Sequence, residues 1–170
     1  HRLGLFPIKT ELEDLSFKYE HPEEYAQIEK ELAESQPERD TIFGKFTPPI
    51  CEELDAMGIR YTIKARIKSP YSIWMKMQKK HIPFSEVFDI LAIRIVFTPK
   101  NRAAENDECF LIYSKLSKLY KPHPTRLRDW LSNPKANGYQ ALHNTFMSKQ
   151  GKWVEVQIRT KRMEEIAVRG

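Results

Sequence analysis

Trp153-Val154-Glu155-Val156-Gln157-Ile158-Arg159-Thr160 alternates between apolar and polar residues along its length. At the two-residue period of a strand, Val154, Val156 and Ile158 fall on one face and Glu155, Gln157 and Arg159 on the other. The apolar face reads as core. The polar face carries a carboxylate, an amide and a guanidinium, a set suited to an ionic ligand bound through a metal, although antiparallel sheets also commonly leave one face to solvent. Upstream, Pro134-Lys135-Ala136-Asn137-Gly138-Tyr139-Gln140-Ala141-Leu142-His143 holds an Asn-Gly turn signal ahead of a second apolar run, so the two segments are expected to pair as neighbouring antiparallel strands.

Two further strand patterns lie N-terminal to these. Arg60 to Lys68 alternates, with Tyr61, Ile63, Ala65 and Ile67 expected inward and Arg60, Lys64, Arg66 and Lys68 outward. Asp89 opens the near-continuous apolar run Ile90 to Phe97, interrupted by Arg94, which reads as a central strand covered on both faces. Between them Ser69 caps a helix opened by Pro70, with Ile73, Trp74 and Met77 as its apolar stripe and Ser72 and Lys76 together on another side. Residues 103–120 and 160–169 read as helices. Thr125 is expected to cap a short helix running to about Trp130.

Ahead of the strands, Leu5, Ile8, Leu12, Leu15 and Tyr19 recur at helical spacing, and Tyr25, Ile28 and Leu32 continue it after a break at Pro22. Residues 36–46 read as a polar linker. Thr47 is expected to cap a separate helix with Pro48 and Pro49 in its first turn and Gly58 at its exit. The division this implies is an acidic helical segment over 1–40 and a main domain over 41–170.

Charge follows that division. Residues 1–40 carry five Lys/Arg against eleven Asp/Glu, and residues 41–170 carry 23 against 12, within a chain of net charge +5. The basic body calls for an anion: a nucleic acid, an acidic membrane surface or a polyphosphate nucleotide. No run approaches the ~18 apolar residues of a membrane span. The two cysteines, Cys51 and Cys109, lack metal-ligand spacing and form no disulfide framework, which favours a reducing compartment. The start at His1 and a final helical pattern running into Gly170 suggest a piece of a longer protein.

Three groups could do chemistry. Arg66, Lys68, Ser72 and Lys76 bring a basic strand end to the N-terminus of a capped helix, a cradle for a polyphosphate or else a solvated basic face. It is not a P-loop, because the glycines are absent. Asp89 and Glu155, acids on neighbouring strands, could share Mg²⁺, or could be a capping Asp and a surface Glu. Lys135, Asn137, Tyr139 and His143 surround the Asn-Gly turn, where a tyrosine ring can lie on a base; an ordinary hairpin with a half-buried tyrosine is the alternative.

Taken in order and spacing, Arg66-Ile67-Lys68 with Ser72 and Lys76, Asp89 with Ala92-Ile93-Arg94, the segment Pro134 to His143, and Glu155-Val156-Gln157-Ile158-Arg159-Thr160 resemble the RelA/SpoT-family alarmone synthetase domain. The resemblance covers residues 40–170 strongly. His1-Arg2-Leu3-Gly4 with Glu11-Leu12-Glu13-Asp14-Leu15 looks like the helical link that follows a hydrolase domain in long members, and that domain's metal motifs are not in this chain. The resemblance implies an α/β (α+β) fold of the nucleotidyltransferase-like kind, a mixed, mostly antiparallel sheet of about five strands surrounded by helices. It implies transfer of pyrophosphate from ATP to the 3′-hydroxyl of GDP or GTP, releasing AMP, in the bacterial stringent response, with Mg²⁺ or Mn²⁺ as cofactor and a cytoplasmic location.

Residue by residue, the resemblance assigns Arg66, Lys68, Ser72, Lys76, Arg94 and Arg102 to ATP, Asp89 to the metal, and Glu155 to the metal or to the proton of the 3′-hydroxyl. Lys135, Asn137, Tyr139, His143, Gln157 and Arg159 surround the acceptor, with Tyr139 stacking on guanine. Arg126 and Arg128, in Arg126-Leu127-Arg128-Asp129, look like the basic motif of two-function members and imply a preference for GDP. Two positions depart from the family: Asn144, where Thr is usual, and Val168, where Glu is usual, both expected to lie clear of the ligands. A ribosome or other regulator would act through parts outside this chain. The rival reading is a nucleotide- or RNA-binding regulatory domain without catalysis, and strong nucleic-acid binding is not expected, because the basic residues bracket two acids.

Overall fold

Five strands form one sheet in the order β1-β2-β5-β4-β3: β1 (Arg60–Ile67), β2 (Leu91–Thr98), β3 (Arg128–Asp129), β4 (Leu142–Met147) and β5 (Trp153–Thr160). Three pairings are antiparallel and the central one, β2 with β5, is parallel, which agrees with the mixed, mostly antiparallel sheet expected. This computed structural model describes residues 5–169, with the side chains of residues 9–168. His1-Arg2-Leu3-Gly4, Gly170 and the side chains of Leu5 and Ile8 lie outside the described residues.

The alternation in β5 and the continuous run in β2 set the layers. Val154, Val156 and Ile158 are buried together with Ile93, Ile95, Phe97, Leu142 and Phe146. Helices α2 (Pro22–Ala56) and α4 (Glu105–Leu119) cover that side through Phe46, Ile50, Leu54, Cys109, Ile112 and Leu116. A smaller core gathers Phe17 of α1 (Leu5–Glu20), Ile28 of α2, Ile73 of α3 (Pro70–Lys80) and Val87 and Ile90 of the following loop. Helix α5 (Lys161–Arg169) follows β5 directly.

Register assembles the opposite face. One row runs Arg66, Ala92, Glu155, Thr145, and the next Lys64, Arg94, Gln157, His143, Arg128. Since residues opposite one another in paired strands point the same way, basic residues of the edge strand line up with the polar residues of β5.

Four expectations change. Residues 36–46 are helix and Thr47 is no cap: α2 runs unbroken through Pro37, Pro48 and Pro49, and Thr47 Oγ1 donates to the Phe43 carbonyl at 2.8 Å. Ile42, Phe46, Ile50 and Leu54, spaced by four, are all buried. Burying each is worth ~1.5–3 kcal/mol, against ~3 kcal/mol for a helix-interior proline, so tertiary burial outweighs the breakers. The boundary expected at residues 40–41 therefore falls inside a helix. On β1 the inward set fades, with Ala65 and Ile67 exposed, because an edge strand is covered only at its first half. No helix forms over 125–130. Arg128–Asp129 instead pairs with His143–Leu142, and Asp129 Oδ1 accepts from the amides of Leu131 and Ser132, both at 3.0 Å. The side chain thus closes a turn in place of a helical turn.

Candidate functional site

The polar sheet face borders two cavities that share Arg66 and Gln157 as a common wall. The larger, about 480 Å³, is lined by Arg66, Lys68, Ser69, Ser72, Asp89, Ala92 and Glu155, with Thr10 and Glu13 of α1 on its rim. Ser69 caps α3 as its sequence predicts, its Oγ accepting from the Ser72 amide at 3.3 Å. Asp89 sits at the turn into β2, where Lys76 Nζ approaches its Oδ2 to 2.7 Å and Lys68 Nζ to 3.2 Å. Burial alone would raise the Asp89 pKa, but the hydrogen bond from Lys76 and the charge of Lys68 outweigh it and hold the carboxyl below its usual range.

Asp89 Oδ1, in contrast, is buried without a hydrogen bond. An orphaned carboxylate oxygen on a residue that lines the same cavity as Glu155 fits a hard divalent cation. Among the described residues no group of three or more His, Cys, Asp or Glu converges on one point. Such a pair suits Mg²⁺, which keeps waters and substrate phosphates as its other ligands.

The smaller cavity, about 260 Å³, is bounded by Arg66, Arg94, Gln157 and Arg159 on the sheet, by Lys135, Asn137 and Tyr139 on the loop, and by Glu164, Ile166, Ala167 and Val168 on α5. The Asn-Gly turn closes as expected: the Gly138 amide donates to the Lys135 carbonyl at 2.8 Å, and the Tyr139 amide donates to Asn137 Oδ1 at 3.1 Å. Gly138 adopts φ +84°, a conformation glycine reaches without a Cβ penalty. Arg159 is only 2% exposed; its Nη2 donates to Gln157 Oε1 at 3.0 Å, and Gln157 Nε2 donates to Glu155 Oε1 at 3.2 Å. Glu155, Gln157 and Arg159 are thereby joined in one polar chain along β5.

His143 extends that chain. Its Nε2 lies 2.8 Å from the Tyr139 hydroxyl and its Nδ1 3.7 Å from Glu155 Oε1. Burial, aided by the positive charges of Arg159, Lys135 and Arg94, lowers its pKa to about 3. The ring is therefore neutral. A proton on Nδ1 directs it towards Glu155 and leaves Nε2 to accept from Tyr139. Because the folded value lies below the usual 6.5, the associated stability is full above pH ~6.5 and is lost as pH falls towards ~3. In an NMR titration His143 should hold its neutral chemical shifts from pH 7 to 5, and a midpoint near 6.5 would contradict this geometry.

Not every expected residue joins the cavities. Arg102 is a largely exposed partner of Glu105 at 3.6 Å. The Arg126 guanidinium lies over the Phe88 ring at 4.1 Å, and Arg128 donates to the carbonyls of Thr125 and Leu127; neither borders either cavity. Asn144 stands clear, bonding Tyr113 Oη at 2.8 Å. Val168, expected to stand clear too, instead forms part of the smaller cavity's wall, because α5 lies close to the Asn-Gly turn: Ile166 Cγ2 comes within 3.9 Å of where a Gly138 Cβ would be.

Three residues go unrecognised in the sequence. Asp14 Oδ1 accepts from the Tyr71 amide at 3.0 Å, occupying the N-terminus of α3, and Glu13 beside it faces the larger cavity. The opposite charges of the arm and the body were the available signal. Glu164 pairs with Arg94 and Arg159, and only the tertiary placement of α5 shows it.

Residues 65–170 match the family described as "Region found in RelA / SpoT proteins". Over 97% of the chain it is 39% identical to a GTP pyrophosphokinase of Photobacterium angustum, covering 21% of that protein. Over its full length it is 40% identical to a GTP pyrophosphokinase of Escherichia coli K12, covering 22% of that one. The chain thus spans about a fifth of the length of these curated relatives. Among solved structures, the small alarmone synthetase 1 of Bacillus subtilis bound to its product pppGpp shares the fold, with a TM-score of 0.57 and 23% identity over 82% of this chain and 76% of that one. Register, cavities and sequence kinship agree, and the chain belongs to the RelA/SpoT family.

Proposed function

We propose that this chain carries a (p)ppGpp synthetase site, a GTP/GDP pyrophosphokinase that moves the β,γ-pyrophosphate of ATP to the 3′-oxygen of GDP or GTP. The observation that carries the reading is the pair of cavities meeting at Arg66 and Gln157, one with the two carboxylates and the α3 N-terminus, the other with Tyr139 and three arginines. Kinship to GTP pyrophosphokinases along the whole chain supports it.

The donor's phosphates lie in the larger cavity against Lys68 and Ser72, with Lys76 joined to that wall through Asp89. Asp89 and Glu155 would hold Mg²⁺, or Mn²⁺ in its place, which supplies charge neutralisation on the transferring phosphates. The acceptor base stacks on Tyr139, with Asn137 and Lys135 beside it. The 3′-oxygen attacks the β-phosphorus, the bond from that phosphorus to the α,β-bridging oxygen breaks, and AMP leaves. The proton of the 3′-hydroxyl passes to Glu155. Catalysis of this kind rests on positioning and charge compensation more than on covalent chemistry by the protein. The free thiols of Cys51 and Cys109 suit the cytoplasm, and a ribosome or other regulator would act through parts of the parent protein outside this chain.

ATP, GDP and Mg²⁺ incubated together with the chain should yield AMP and a 3′-pyrophosphorylated nucleotide in equal amounts. Tyr139→Ala should raise KM for the guanosine nucleotide about tenfold or more, since stacking on a base is worth ~1–3 kcal/mol, while KM for ATP changes little. Nucleotide binding without AMP would instead favour the non-catalytic rival, and equal effects on both substrates would assign Tyr139 to the scaffold.

A further inference from the structure

We infer that Glu164 is the built-in counter-ion of the phosphate subsite in the smaller cavity, lying between Arg94 and Arg159 where a phosphate oxygen of the acceptor binds, and so sets the affinity for that nucleotide. This rests on the function proposed above only for the identity of the ligand. Arg66, Arg94 and Arg159 border one small cavity, and three guanidinium groups so placed repel one another. Glu164 pairs with two of them, its Oε2 3.5 Å from Arg94 Nη1 and its Oε1 3.4 Å from Arg159 Nε.

Those contacts are long. Two other ion pairs with a largely buried acid close to 2.7 Å, Lys76 with Asp89 and Arg162 with Glu105. Both Arg159 Nε and Glu164 Oε1 are buried without a hydrogen bond, so the carboxylate compensates charge but leaves donor capacity unused. The Glu164 carboxylate spans the two arginines with one oxygen to each and closes tightly on neither. A tetrahedral phosphate, free to settle among Arg94, Arg159 and Arg66, can accept from all three. Binding then requires the acceptor to displace Glu164 from the arginines. Glu164 thus acts as a specificity-determining residue, weakening retention of any anion that cannot also gain the Tyr139 stack.

The test is calorimetric titration of the chain with inorganic pyrophosphate, then with GDP and GTP. Glu164→Gln should bind pyrophosphate about tenfold more tightly, the scale of one charge-assisted hydrogen bond gained, and both nucleotides should follow. Glu165→Gln, which removes the same charge from the exposed side of α5, should bind as the parent does. If Glu164→Gln does not fold, Glu164→Asp, which draws the charge back by one methylene, should show a smaller gain. A Glu164 variant that folds and binds pyrophosphate no better than the parent, or more weakly, overturns the inference, since the carboxylate would then be bracing the arginines; an equal gain in Glu165→Gln overturns it as well. Tighter pyrophosphate binding in a chain that makes no AMP would leave this inference standing and remove the proposed function.

Discussion

Asp89→Asn should lower AMP release by on the order of 10²–10³-fold, the loss typical when one preorganised electrostatic contact to a reacting centre is removed. The expectation follows from the division of labour within one carboxylate: Oδ2 is engaged by Lys68 and Lys76, and Oδ1, on a residue that lines the cavity, is buried without a hydrogen bond. Asn keeps the shape but donates where a cation must be bound, and it leaves two lysines without their counter-charge. Glu155→Gln should act in the same direction through the neighbouring strand. Circular dichroism and a thermal melt separate lost chemistry from lost fold. Turnover within a few-fold of the parent in either folded variant would show that the carboxylates do not serve the reaction.

The largest stability effect is expected outside the cavities, at Glu105. Its residue is only 5% exposed, and its carboxylate accepts from Thr160 Oγ1 at 2.7 Å and from Arg162 Nη2 at 2.7 Å and Nε at 3.0 Å. Arg162 in turn donates to Gln140 Oε1 at 2.8 Å. One acid therefore ties α4 to the end of β5, the start of α5 and the loop that carries Tyr139. Glu105→Ala strands those donors and should cost about 3 kcal/mol, a Tm drop of roughly 6–12 °C for a chain of this size. Burial would raise the Glu105 pKa, but the hydrogen bonds from Arg162 and Thr160 outweigh it, and the net shift is downward from 4.5. The stability it contributes is thus present above its unfolded value and is lost as pH falls through the folded one. Urea melts should show the parent weakening on acidification more steeply than Glu105→Ala, and parallel acid limbs would contradict the assignment.

Strand residues were the most readable part of this chain because their period is short and their two faces differ in chemistry. The β5 alternation correctly assigned Val154, Val156 and Ile158 to the core and Glu155, Gln157 and Arg159 to a polar face. The start of α3 was equally readable, since Ser69 and Pro70 are local signals that owe nothing to distant packing. Local signals misled where burial overrode them: Pro48 and Pro49 look like a helix start, yet the Ile42, Phe46, Ile50, Leu54 stripe carries the helix through them. Thr125 looks like a cap, yet β4 recruits Arg128–Asp129 into the sheet. Residues that meet only through tertiary structure, such as Glu164 with Arg159 or Asp14 with the Tyr71 amide, leave no pattern along the chain.

The unbroken course of α2 has a mechanical consequence. At ~1.5 Å per residue, its 35 residues make a rod roughly 50 Å long, seated in the smaller core at Ile28 and in the main core from Ile42 to Leu54. The two cores are therefore mounted on one helix, with no non-helical linker between them at residue 40. A push on the Ile28 end travels as a tilt or twist along the whole axis to Phe46, whose carbonyl accepts from Tyr120 Oη at 2.9 Å and whose ring stacks on that tyrosine 4.2 Å away. Leverage of this sort makes the N-terminal segment a handle on the sheet.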